Sequence, residues 1–188
     1  MTGYLTKTEI EQQLRDAALE FSDHCLSLPD EIFFYQPADK WSAAQQTKHL
    51  ISAANAAKLA FVLPKFMVRW IAGKPNRQSR TFDELVAKYK MKLAQGGKAS
   101  SPFVPKPIPA SYGKEKLVKS FNSSMNKMAN AVNKNWKESQ MDQYIAPHPL
   151  LGKITLTELC YFTIHHTKHH LESIKNLTAK LNSTSLDG

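Results

Sequence analysis

Glycine is scarce in this chain, at 7 residues in 188, and the 10 prolines gather in a few places instead of recurring at hairpin spacing. Both facts argue against a β-rich fold and favour helices. Cysteine is scarcer still. Cys25 and Cys160 cannot make a disulfide framework, so reduced thiols in a cytoplasmic setting are expected. No long hydrophobic run is present. The most apolar stretch, from Ala60 to Ala72, contains Pro64, Lys65 and Arg69 and is too short to cross a bilayer, so no membrane partner is expected. The segment from Met1 to Glu9 holds neither an apolar run nor a small-residue cleavage site, and no secretory signal is expected.

Acidic residues are outnumbered, 16 against 25 lysines and arginines, for a formal charge of +9. A balance of that sign suits nucleic acid, anionic surfaces or an anionic small substrate. The lysines, however, are scattered through every segment, with no Arg-rich block and no interleaved aromatics. A solvated lysine surface is the expectation, with a small-molecule substrate and no nucleic-acid partner.

Apolar residues make up 42% and charged residues 22%, an ordinary globular balance, and residues 1–188 read as one domain able to bury a core. Four segments read as long helices. The first runs from about Thr8 to Leu28, with Ile10, Leu14, Ala17, Phe21, Cys25 and Leu28 on one stripe and Thr6-x-x-Glu9 able to cap its start. The second starts at the capping box Ser42-x-x-Gln45 and reaches about Leu63. It is rich in alanine, which lets a neighbour approach closely. The third covers about Lys114 to Ser139 with Leu117, Phe121, Met125, Met128, Val132 and Trp136 on its stripe. The fourth opens at Thr155-x-x-Glu158 and runs to about Leu181, after a turn from Ala146 to Gly152. Packing these amphipathic faces gives an all-α antiparallel four-helix bundle.

The connection over about 64–112 is the least regular part. Phe66 to Ile71 suggests a short helix, and Thr81-x-x-Glu84 caps another that ends near Leu93. The prolines and glycines of residues 95–109 exclude helix and central strand alike. A loop of this length is either a lid or pocket wall, or a floppy connection.

The fourth helix carries Ile164-His-His-Thr-Lys-His-His-Leu171, which contains two histidine pairs at i,i+4 spacing. At roughly 100° per residue, His166 and His170 fall within about 40° of the line drawn by Leu156, Leu159, Thr163, Ile174, Leu177 and Leu181. His165 and His169 lie about 100° or more from His170, beside Glu158, Lys168, Glu172 and Asn176, on the side expected to face water. A lone histidine on an apolar face is ordinarily a satisfied core residue. Two imidazoles one turn apart on a core stripe repel if protonated and need partners if neutral, and a metal ion removes both difficulties. The pair is an incomplete clip and needs a ligand from another helix. His49 is the best candidate, because it shares the small face of the second helix with Ser42, Ala53, Ala56 and Ala60. The metalloprotease pattern requires Glu after the first histidine; Thr167 stands there, so that chemistry is excluded.

Three pieces in order then carry a resemblance: Lys40-Trp-Ser-x-x-Gln-x-x-x-His49, the turn His148-Pro-Leu-Leu-Gly-Lys-Ile-Thr155, and His166-x-x-x-His170-x-x-x-Ile174. Together they resemble the DinB-like superfamily, and within it the branch of YfiT-type metal-dependent hydrolases, from about residue 8 to 180. The resemblance implies a four-helix bundle with His49, His166 and His170 as ligands of one divalent metal ion. It also implies a homodimer, and kinship with transferases and isomerases that use low-molecular-weight thiols. Zn, Ni or Fe is the expected cofactor, since imidazoles suit these ions and Cu as well. Three neutral ligands leave a coordination position open, as in catalytic sites. The function implied is metal-dependent hydrolysis or thiol S-transfer. The alternative is a non-enzymatic, metal-stabilised binding or stress-response protein.

Among the remaining candidates, His148 lies between two prolines and reads as a turn residue, or else as a proton carrier at the mouth of the site. His24, Cys25 and Cys160 read as structural, with a metal-bound thiolate at Cys160 as the alternative. Trp41, just before the cap, reads as a hydrophobic staple.

Overall fold

The computed structural model describes residues 3–184. All four expected capping boxes form. They start helices α1 (Lys7–Ser27), α3 (Ala43–Val62), α5 (Phe82–Ala94) and α8 (Leu156–Thr184). In each, a Ser or Thr hydroxyl accepts an N3 amide while the N3 side chain reaches back to the cap amide. This satisfies two of the amides that a helix start leaves without partners. Between them lie α2 (Asp30–Phe34), α4 (Lys65–Ala72), α6 (Lys114–Asn135) and α7 (Glu138–Met141).

The four long helices close a ring: α3 packs on α6, α6 on α1, α1 on α8, and α8 back on α3. Leu14, Phe21, Phe121, Met125, Met128 and Ile174 fill its centre, with the Phe21 and Phe121 rings 4.7 Å apart. The protein is thus mostly helical, as expected, but four long helices are not the whole of it. Residues 146–152, expected as a turn, lie within an antiparallel hairpin of β1 (Ile145–His148) and β2 (Gly152–Thr155), with Pro147 opposite Lys153. Pro147 hides this strand from a sequence reading. It is tolerated because each strand of a two-stranded ribbon keeps one unpaired edge. Gly152, at φ +74°, supplies the left-handed backbone that closes the hairpin. No single described helix is long and apolar enough to cross a membrane.

The third long helix also stops earlier than its stripe suggests. It ends at Asn135, and Trp136 is extended at φ −128°. The break lets the Trp136 indole N–H and the Asn135 amide both donate to the Phe61 carbonyl at 3.0 Å. One of the orphan carbonyls at the end of α3 is satisfied in this way.

The larger correction concerns the side of α8 that carries Glu158, which was expected to face water. Every residue from Leu156 to Ile164 is buried. The segment between α4 and α5 covers that face, and Glu158 holds it there. Its carboxylate takes a bidentate pair from Arg77 at 2.7 and 2.8 Å, a contact from the Arg80 guanidinium at 3.0 Å, and the Arg80 amide at 2.8 Å. It caps α8 through the Thr155 amide as well, at 2.9 Å. Burial alone would raise its pKa. The Arg77 guanidinium and the backbone amides of Arg80 and Thr155 outweigh that and hold it below the usual carboxylate value. Glu158→Gln should therefore destabilise the protein by about 3 kcal/mol in urea denaturation, since it leaves Arg77 and Arg80 facing a neutral group and weakens the cap. Arg77→Ala should cost less, because Arg80 and the backbone amides remain.

Candidate metal centre

Helices α3 and α8 lie side by side, and their facing stripes bring His49, His166 and His170 together. The Nε2 atom of His166 is 3.1 Å from Nε2 of His49 and 3.1 Å from Nε2 of His170. All three residues are buried, at 6%, 5% and 9% exposure. Among the described residues they are the group whose donor atoms could hold a metal ion.

Two of the rings have their tautomer fixed. His49 Nδ1–H donates to the Phe103 carbonyl at 2.7 Å, and His170 Nδ1–H donates to Gln46 Oε1 at 2.9 Å. Because both acceptors lack a proton, Nδ1 must carry it on each ring, and each Nε2 points its lone pair at the shared centre. Tetrahedral Zn²⁺ with nitrogens at about 2.0–2.1 Å would set neighbouring nitrogens about 3.3 Å apart, close to the spacing seen. Donors, tautomers and spacing all fit a divalent cation. Desolvation, followed by the neighbouring imidazoles, pushes the pKa values of His166 and His170 well below the ordinary histidine value. Desolvation also lowers the pKa of His49, against a smaller opposing pull from Phe103. The cluster is therefore neutral near pH 7 and ready to bind a metal.

Trp41 does not act as a staple. The N4 position that a staple would use is Gln46, whose amide donates to the Trp41 carbonyl while its oxygen receives His170. The indole instead lies parallel to the His170 ring, centroids 6.4 Å apart and 8° between planes, and 5.0 Å from His49. It forms a wall of the site.

The Pro-rich loop is a wall too, rather than a floppy connection. Its 3-10 turn at Ser101–Phe103 presents the carbonyl that orients His49. Gly97 lets the loop sit tightly: a Cβ there would fall 2.7 Å from the Lys92 carbonyl and 3.0 Å from Leu150. The loop, α3, α4, α8 and the hairpin enclose a cavity of about 500 Å³ that reaches all three imidazoles. A second, more open cavity of about 490 Å³ touches His170 from the other side of Trp41 and is lined by Asp39, Lys40, Lys98 and Ser173.

Of the other candidates, His148 accepts the Leu150 and Leu151 amides on Nδ1 at 3.2 and 3.1 Å, which is the turn role expected of it. His165 and His169 do not join the cluster. They pack on Tyr89 of α5, whose ring also contacts His166. Cys160 is buried away from the donor group, and burial pushes its thiol up; Cys25 is pushed up to about 12 for the same reason. Both remain protonated thiols, and His24 also stays outside the site.

Sequence reasoning missed Gln46, Tyr89 and the Phe103 carbonyl. Gln46 did carry a signal, as a glutamine inside a buried, alanine-rich helix start. A backbone carbonyl carries none.

The family model described as the DinB superfamily matches residues 13–174. The chain belongs to the DinB superfamily. No curated protein and no solved structure matches it in the corresponding searches. The span matched to the DinB superfamily contains all three histidines together with Trp41, Gln46, Phe103 and His148.

For this DinB-superfamily site the neutral imidazoles fix a pH dependence. Their folded pKa values lie below the ordinary 6.5, and burial brings His148 and His165 down to about 4. Between the two limits the unfolded chain binds more protons than the folded one. Stability is therefore full above about pH 6.5 and is lost as pH falls toward 4. Calorimetry on chelator-treated protein should show Tm falling from pH 7 to pH 5, and a flat profile would contradict the neutral cluster. Gln46→Leu, which frees His170 Nδ1, should weaken Zn²⁺ affinity about 10–100-fold in a competition titration.

Proposed function

We propose that His49, His166 and His170 hold one divalent ion, Zn, Ni or Fe, and that the chain performs metal-assisted transfer or hydrolysis, as a member of the YfiT-type branch. The observation that carries this is the convergence of three Nε2 atoms beside a cavity, two of them on rings whose Nδ1 protons are committed to Gln46 and Phe103. A cation held by three neutral ligands supplies an open position and a positive charge that acidifies a thiol or water. The protein's own residues do the rest. Gln46 and Phe103 fix the donors, Trp41 limits water over His170, and the loop at 98–103 closes one wall of the cavity.

Transfer is favoured over hydrolysis by the two cavities that meet at Trp41 and His170. One is largely apolar. The other adds Asp39, Lys40 and Ser173 to the Lys98 that borders both, and so offers polar groups to a co-substrate such as a low-molecular-weight thiol. The alternative, a metal-stabilised binding or stress-response protein, has the same site and no turnover.

Elemental analysis of the untagged wild-type protein should give about one metal ion per chain, and His170→Ala should lose it. Metal-loaded protein should then accelerate reaction of a model electrophile with bacillithiol, mycothiol, glutathione or coenzyme A. Chelation that lowers Tm, with no metal-dependent rate for any thiol or for water, would favour the non-enzymatic alternative.

A further inference from the structure

The larger cavity is built for something other than a small polar molecule. Its floor is Ala53, Ala56, Ala57 and Ala60, at i, i+3, i+4 and i+7 on α3, faced by Leu159 and Phe162 of α8. At roughly 30 Å³ per water-sized group, about 500 Å³ leaves room for roughly fifteen heavy atoms. Its mouth is rimmed by Leu59 and Ile71, each 53% exposed. Apolar surface left open in this way beside a concave site marks a place where apolar matter docks.

Apart from the three imidazoles of the cluster, one histidine faces that apolar volume in a defined tautomer. His148 lines the cavity, and its ring sits 4.1 Å from Phe162, which in turn stacks at 4.7 Å on His166. Two backbone amides donate to Nδ1, so that atom must be an acceptor and the ring proton must sit on Nε2. No described residue accepts a hydrogen bond from Nε2–H. Burial brings the pKa of His148 down to about 4, so near pH 7 the ring is a neutral donor and not a proton carrier.

We propose that the cavity takes an aliphatic carbonyl compound, an acyl chain whose oxygen accepts a hydrogen bond from His148 Nε2–H and whose hydrocarbon lies along the alanine face of α3. Any oxygen acceptor would satisfy the donor. The choice of a carbonyl rests on the proposed metal-assisted attack, because a carbonyl joins an acceptor oxygen to the electrophilic carbon that a thiol or water requires. His148 is then a positioning residue that selects which end of the substrate lies toward the imidazoles.

Unreactive ligands test this without turnover. Binding of 2-butanone, 2-hexanone and 2-octanone to the full chain is measured by calorimetry, metal-free and zinc-loaded, beside alkenes in which C=CH₂ replaces C=O. Affinity should rise about fourfold per methylene, and the ketones should bind more tightly than the matched alkenes by about fivefold. The ¹H–¹⁵N resonance of His148 Nε2 should shift with the ketone and not with the alkene. His148→Phe should abolish the preference for the ketone while keeping the chain-length dependence. Should that variant lose its thermal transition, the wild-type ketone–alkene comparison and the Nε2 resonance decide the matter alone. Affinity independent of chain length would overturn the apolar assignment. Equal binding of ketone and alkene, with a stationary Nε2 signal, would overturn the role of His148. Because the metal-free protein is measured too, a failure to bind metal leaves this result legible by itself.

Discussion

The site depends on keeping three imidazoles neutral while their Nε2 atoms converge, His166 standing 3.1 Å from each of the other two. With Nδ1 protonated on His49 and His170, both turn an Nε2 lone pair inward, and the single ring proton of His166 can meet at most one of them. The fold holds two of the three rings from behind. Gln46 does this for His170, and the Phe103 carbonyl does it for His49. Both partners come from segments with little other reason to lie where they do. Gln46 is a polar side chain in a buried helix start, and Phe103 belongs to a loop with no regular ladder of its own. Much of the detail around the site follows from that single requirement: the polar residue in an alanine-rich helix, the 3-10 turn in the loop and the close approach at Gly97.

How much of this could be read from the sequence depends on whether the signal was periodic. The helical stripes, the four capping boxes and the shared face of His166 and His170 are repeats at fixed spacing, and the structure places the corresponding elements within a few residues of expectation. His49 was legible through the small residues that share its face. What escaped was aperiodic or depended on partners distant in sequence. The hairpin at residues 145–155 was hidden by Pro147, a residue that forbids a central strand and permits an unpaired edge. Glu158 was placed on a solvated face because helical geometry alone cannot say how many neighbours a helix has. Here α8 is enclosed on more sides than an amphipathic stripe implies, and a buried carboxylate is acceptable only because two arginines arrive from residues 77–80. Trp41 looked like a staple from its position before the cap, yet nothing apolar stands at N4 for it to meet.

The alanines of α3 serve two ends. At the start of the helix, Ala43 and Ala44 are fully buried and let the neighbouring helices close in. Further along, Ala53, Ala56, Ala57 and Ala60 face outward from the ring toward α4 and the hairpin, which stand away from them and leave the cavity. Larger side chains there would fill the space and recover the dispersion contacts that a void forfeits. The small residues thus preserve room beside the histidines at some cost in packing.

Charge is segregated just as consistently. Counting 8 residues from Glu158 to His166 and 12 to His170, at roughly 100° per residue, the carboxylate lies about 80–120° around α8 from the two imidazoles. Its charge is met by Arg77 and Arg80 on that other face. The groups that line the larger cavity near the imidazoles are neutral histidines, aromatics and aliphatics, and Lys98 at its border is exposed. A fixed carboxylate among the three rings would favour their protonated forms and compete for the place where a cation would sit. Among the described residues Glu158 is the deeply buried carboxylate, and the fold commits it to the cap of α8 and to the strap at residues 77–80, away from the histidine cluster. Any anionic ligand to a cation at that centre would then have to be brought by whatever enters the cavities.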